Sequence, residues 1–168
     1  ICGDSDGDTC DDCSQLGLLY PNYDGPDSDG DGLCDAGDPC PETSEAADEC
    51  GVCGGDGPEE GLTCDGTPAL FQLVTSTQAA YYYFSTVTIN GSNVDLNDWV
   101  GAFNGDICVG ARKWDTSLCG NGICDSPVMG DDGWPESSGY MLPGDIPTFK
   151  IYDASENAYY DAVPSENI

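Results

Sequence analysis

No residue between positions 1 and 67 carries a positive charge, yet that stretch holds 19 of the chain's 32 acidic residues and eight of its eleven cysteines. Apart from alanine and cysteine, its apolar members are only Ile1, Leu16, Leu18, Leu19, Tyr20, Tyr23, Leu33, Val52 and Leu62. Ordering a backbone costs roughly 1–2 kcal/mol per residue, and so small an apolar set cannot offset that by burial. Covalent bridges and bound cations are what remain to order this half.

Eleven cysteines and no histidine in 168 residues point to disulfides formed outside the cytosol. The Cys-x-x-Cys pairs Cys10/Cys13 and Cys50/Cys53 have zinc-site spacing as a minor alternative, and haem attachment lacks its histidine. Cys2, Cys10, Cys13, Cys34, Cys40, Cys50, Cys53 and Cys64 suffice for four bridges within the first half, with connectivity left open by sequence. Of Cys108, Cys119 and Cys124 one is left over. Cys119 with Cys124, or Cys108 with one of them, are the favoured pairings, and the odd thiol is buried, bridges the halves or links to another chain.

A net charge of −29 with only Arg112, Lys113 and Lys150 as cations excludes the phosphate neutralisation that nucleic-acid binding needs, and disfavours anionic membranes. No run of about 18 apolar residues offers a membrane span. Beginning at Ile1 without a basic-then-apolar leader, the chain is expected to be a processed or excised piece of a secreted protein.

The most specific motif is Asp27-Ser28-Asp29-Gly30-Asp31-Gly32-Leu33-Cys34-Asp35-Ala36-Gly37-Asp38. In a twelve-residue calcium loop, oxygens come from positions 1, 3, 5, 7 through the backbone, 9 and 12, with glycine at 6 for the sharp turn. Asp27, Asp29, Asp31, the carbonyl of Leu33, Asp35 and Asp38 fall on those positions, and Gly32 is the glycine. Alternate spacing lets successive carboxylates converge on one hard cation. Asp4, Asp6, Asp8 and Asp12 repeat the first part of the pattern, with Thr9 in place of the glycine and Gln15 at the twelfth position. The competing reading of both stretches is a solvated acidic run. A third ion near Asp48, Glu49, Asp56 or Asp65 would have no motif to hold it.

Residues 4–48 resemble thrombospondin type 3 repeats, in which Asp-x-Asp-x-Asp-Gly ladders wrap calcium and cysteines clip successive turns. The resemblance implies a calcium-ordered stalk or connector, here with at most two ladders. Cys50-Gly51-Val52-Cys53-Gly54-Gly55-Asp56-Gly57 also resembles a cysteine-rich segment of secreted metalloproteases with thrombospondin motifs, without any zinc-binding histidine.

Residues 68–168 have the opposite character, with 14 of the 16 aromatics. Phe71–Thr75, Tyr81–Ile89, Trp99–Phe103, Ile107–Trp114, Thr148–Tyr152 and Ala158–Val163 read as strands, and no helix is expected. Asn104-Gly105 predicts a type I′ hairpin, and 153–157 connects the last two strands. Residues 116–142, holding Cys119, Cys124, Trp134 and Tyr140, read as a long disulfide-pinned loop. The fold expected is thus mainly β: a calcium- and disulfide-ordered irregular segment over 1–67, then an antiparallel β-sandwich over 68–168.

Asp98–Gly110 and Gly144–Asp153 resemble β-sandwich repeats of large secreted bacterial surface proteins, which mix such sandwiches with calcium-binding Asp/Cys linkers. That resemblance implies an extracellular or cell-surface location. No Gly-x-Ser-x-Gly motif, phosphate loop or unassigned carboxylate pair supports catalysis, so the chain is read as a non-enzyme. The expectation is a structural module bound to Ca2+, a homopolymer subunit or tandem repeat of a surface filament or adhesin shaft, with no nucleic acid and no membrane insertion. The alternative is a calcium-dependent carbohydrate-binding or adhesion module, in which Trp99, Trp114, Trp134 or Tyr81–Tyr83 would contact a glycan or surface ligand. Asn90-Gly91-Ser92 is the only glycosylation sequon.

Overall fold

The computed structural model describes residues 3–13, 25–120 and 122–165. It is mainly β and antiparallel, and it divides into two units between Glu59 and Glu60. Residues 60–67 go with the second unit for a packing reason: Leu62 lies against Phe71 and its neighbours, and the Ala69 amide donates to the Gly61 carbonyl at 2.9 Å. Among the described residues no helix is long and apolar enough to cross a membrane.

The second unit is built on strands β1 (Ala79–Phe84), β2 (Thr88–Ile89), β3 (Ser92–Asn93), β4 (Trp99–Asn104), β5 (Ile107–Lys113), β6 (Cys124–Met129), β7 (Thr148–Asp153) and β8 (Ala158–Ala162). One sheet runs β5-β4-β7-β8; β1 pairs with β6 in a two-stranded ribbon, and β2 with β3 in a small hairpin.

Alternation along β4 sends Val100 and Ala102 to one face of the four-stranded sheet and Gly101 and Phe103 to the other, and both faces are covered. The ribbon covers the first. Tyr82 and Phe84 meet Phe149 with ring centroids 5.6 and 5.2 Å apart, edge to face, and Cys124, Ser126 and Val128 point inward from β6. On the second face Phe71 packs edge-on against Phe103 and Tyr159. Gly101 makes room for it: a Cβ there would sit 2.7 Å from the Phe71 ring. Buried Asp98 fixes one end of the sheet by accepting from the amides of Asp95 at 2.7 Å and Ala154 at 2.9 Å.

Four expectations change. Phe71–Thr75 is not a strand: a 3-10 turn covers Ala69–Phe71, and the next residues find their backbone partner in a side chain. The Tyr140 hydroxyl accepts from the Val74 amide at 2.8 Å and donates to the Val74 carbonyl at 3.1 Å. Tyr81–Ile89 is not one strand, because the partner β6 begins at Cys124 opposite Phe84, where the Cys119–Cys124 disulfide turns the chain. The chain therefore bends after Phe84 and forms β2 and β3 on its own.

The stretch 116–142 is not all loop either. Its residues Cys124–Met129 make β6, with Pro127 opposite Tyr81. Proline lacks an amide donor, and β6 tolerates it in a ribbon with one ladder partner. Lastly, the type I′ turn is formed by Asn90-Gly91 instead. Asn90 and Gly91 have φ of 51° and 84° between Ile89 and Ser92, whereas in the β4–β5 turn Asn104 pairs with Ile107 and only Gly105 has positive φ, at 61°. A positive φ at the first central position alone is the pattern of a type II′ turn.

Candidate metal sites

The first unit has no strand or helix among its described residues, and its order is built from short carboxylate-to-amide bonds. In the second ladder the Asp27 carboxylate accepts from the amides of Gly30 at 2.7 Å and Gly32 at 3.2 Å, and Asp31 accepts from Leu33 at 2.8 Å. In the first, Asp4 accepts from Gly7 at 2.6 Å and Thr9 at 3.1 Å, and Asp8 accepts from Cys10 at 3.0 Å. The two ladders are one structure repeated 23 positions apart, as Asp4 to Asp27. Even the left-handed residues correspond: Gly7 with Gly30, and Thr9, φ 79°, with Gly32, φ 95°. Glycine takes that conformation freely, whereas a β-branched residue is strained there. Thr9 is retained with its hydroxyl bonded to the Cys34 carbonyl at 3.3 Å.

These folds bring carboxylate oxygens together. One oxygen from each of Asp4, Asp6 and Asp8 lies within 4.8 Å of the others, and the same holds for Asp27, Asp29 and Asp31. Both triplets can hold a metal ion. Asp29 carries the clearest mark of a missing partner: its Oδ2 is shielded from solvent and has no hydrogen bond. Desolvation pushes the Asp29 carboxyl above its ordinary range; the Asp31 amide opposes this, and the charges of Asp31, Asp38 and Asp27 reinforce it. A hard cation relieves both penalties at once. An all-oxygen donor set in a chain without histidine suits calcium or magnesium better than zinc or copper.

The remaining predicted ligands occupy different places. Asp35 is clasped to Ser28, accepting from its amide and its hydroxyl, each at 2.7 Å. Asp12 is clasped in the same way to the amide and hydroxyl of Ser5 and is 2% exposed. Both ninth-position carboxylates therefore close the loop from behind, and a ninth position commonly reaches its ion through water. Asp38 accepts from the Cys40 amide at 2.7 Å while its charge is felt at Asp29. Leu33, half-buried, places its amide on Asp31. Gln15 lies outside the described residues.

Neither a family model, a curated protein nor a solved structure matches this chain.

Disulfides lock the ladders. Cys10 bonds to Cys34 and Cys40 to Cys53, so each Cys-x-x-Cys pair is divided among bridges, and Cys13, Cys50 and Cys64 are disulfide-bonded as well. That division leaves no paired thiolates for zinc at Cys10/Cys13 or Cys50/Cys53. Packing around the Cys10–Cys34 bridge is tight enough that a Cβ at Gly25 would overlap both sulfurs, and one at Gly37 would overlap Thr9. Such bridging fits an oxidising environment. Asp48 and Asp65, considered for a third ion, are engaged otherwise. Asp48 accepts from the amides of Cys50, Val52 and Gly57, which hold its carboxyl below the usual range, the Val52 bond contributing most. Asp65 accepts from the Thr63 hydroxyl and the Thr67 amide.

Sequence reasoning missed Ser5 and Ser28. Their shared position, directly after the first aspartate of each ladder, was the signal that could have found them. In the second unit Cys119 pairs with Cys124, and Cys108 is the buried thiol, bonded to the Gly110 carbonyl at 3.4 Å and pushed up to about 11 by burial.

Proposed function

We propose that this chain is an extracellular structural module whose N-terminal unit is ordered by two calcium ions and whose β unit is the packing element of a surface fibre, filament or adhesin shaft. The observation that carries the reading is the pair of equivalent carboxylate triplets, Asp4/Asp6/Asp8 and Asp27/Asp29/Asp31, in a unit with almost no apolar core. The likeness of the ladders to thrombospondin type 3 repeats supports calcium, and the likeness of Asp98–Gly110 to bacterial surface-protein sandwiches supports the location.

In this reading calcium replaces the hydrophobic core. Asp27, Asp29 and Asp31 supply charged ligands, Asp4, Asp6 and Asp8 do the same in the first ladder, and Asp12 and Asp35 hold the loops closed through Ser5 and Ser28. A bridged, ion-filled connector resists extension because stretching it must break covalent or ionic contacts. Copies of the module stack end to end, as separate subunits or as repeats of one chain. No catalytic role is assigned.

Electron microscopy of native material in millimolar calcium and again after chelation tests the proposal. Ordered fibres that loosen without calcium are the expected result. Dispersed monomers under both conditions would remove the filament reading.

A further inference from the structure

The outer face of the β1–β6 ribbon carries two large, mostly exposed rings. Tyr81 and Tyr83 are 57% and 69% exposed, although their neighbours Tyr82 and Phe84 turn inward against Phe149. Residues two apart on a strand share one face at a spacing of about 7 Å, so the two phenol rings form a row. Asp125 stands directly opposite Tyr83 and is ion-paired to Arg112, which puts a charged donor and acceptor fork beside the second ring.

Tyr83 also lines a cleft of about 590 Å³ in the same unit. The cleft has an apolar floor of Val100, Phe149 and Ile151 and a rim that includes Thr86, Asn90, Tyr160 and Asp161. Thr86 and Asn90 are exposed residues of that lining and bring a hydroxyl and an amide to it. A volume of this size falls in the range of small-ligand sites, which join apolar walls to a few placed polar groups.

We infer that the Tyr81–Tyr83 row and the adjoining cleft bind a neutral carbohydrate chain, with pyranose faces stacked on the tyrosines and a terminal unit seated in the cleft. The chemistry of the site selects this class. Stacking rings suit the C–H faces of sugars, and the hydroxyl, amide and carboxylate rim suits sugar hydroxyls. Net charge −29 repels polyanions and nucleic acid, while Arg112 and Lys150 are already held in ion pairs. A neutral polyol carries no such penalty.

Every residue invoked belongs to the second unit, so the inference goes beyond the structural reading and does not depend on bound calcium. Its test uses the full chain in native gels containing hydroxyethylcellulose, arabinoxylan, galactomannan or polygalacturonate. Retardation by at least one neutral polymer and none by polygalacturonate is expected. The double variant Tyr81→Ala/Tyr83→Ala should lose at least tenfold in affinity while melting like the parent, and Trp134→Ala, which alters another exposed ring, should bind normally. Unretarded migration through all three neutral polymers, undiminished retention of the double variant, or retention by polygalacturonate alone would overturn it. Retardation that persists in chelator, alongside a first unit that binds no cation, would leave this inference standing and end the calcium reading.

Discussion

The amide of Cys34 donates to the carbonyl of Asp8 at 2.6 Å, joining the second aspartate ladder to a triplet residue of the first. Cys10, two residues after Asp8, is disulfide-bonded to Cys34, so a covalent and a hydrogen bond run side by side between the loops. The two triplets are thus parts of one scaffold.

Removal of divalent ions should therefore open the first unit as a whole. With no cation, the carboxylates of each triplet repel one another, and that repulsion works against the loop hydrogen bonds and the disulfides. Limited proteolysis in chelator should cut within residues 3–59 and spare the second unit. Equal resistance with and without calcium would contradict the ligand assignment.

Asp31→Ala removes one triplet oxygen, whereas Glu59→Ala removes an exposed carboxylate outside both ladders. Calorimetric titration should show calcium binding by Asp31→Ala weakened by about tenfold or more, about 1.4 kcal/mol. Glu59→Ala should match the parent. Identical isotherms for the two variants would place the ion elsewhere.

Gly110 faces β6 so closely that a Cβ would run into the carbonyl oxygen of Pro127. The obstacle is backbone, which cannot swing aside as a side chain tip can. Gly110→Ala should destabilise the second unit by about 1–3 kcal/mol, the usual range for overpacking. A thermal melt read in the near-ultraviolet would register this as a fall of several degrees.

Asp132 ties its loop to the segment before β1, accepting from the Ser137 hydroxyl at 2.7 Å and from the Thr77 amide at 2.9 Å. These bonds, the Ser137 hydroxyl first, hold its carboxyl well below the usual range. A carboxyl with a depressed folded pKa stabilises fully above its unfolded value, about 3.9, and that contribution is lost as pH falls towards the folded value. Melting temperature followed from pH 6 to pH 2 should therefore drop less steeply for Asp132→Ala than for the parent. Parallel curves would show that the carboxylate carries no linkage.

The chain's composition alone determined that the stretch 1–67 has too few apolar residues to build a core of its own, because charge and residue counts depend on no fold. Local spacing was enough for the ladders, since Asp-x-Asp-x-Asp with left-handed glycines closes on itself within a few residues. It was also enough for β4, β5, β7 and β8, whose apolar residues are dense and whose turns are short. Tertiary structure decided what depends on distant partners. Val74 gave up a strand because Tyr140 satisfied its backbone, and Cys124–Met129 became one, despite Pro127, because β1 offered a ladder and a buried face. Asp12 and Asp35 have the ligand spacing but took serine partners. In each case a hydrogen-bonding group accepted whichever partner the folded chain brought within about 3 Å, and that choice is made by packing between segments that the local pattern of residues does not record.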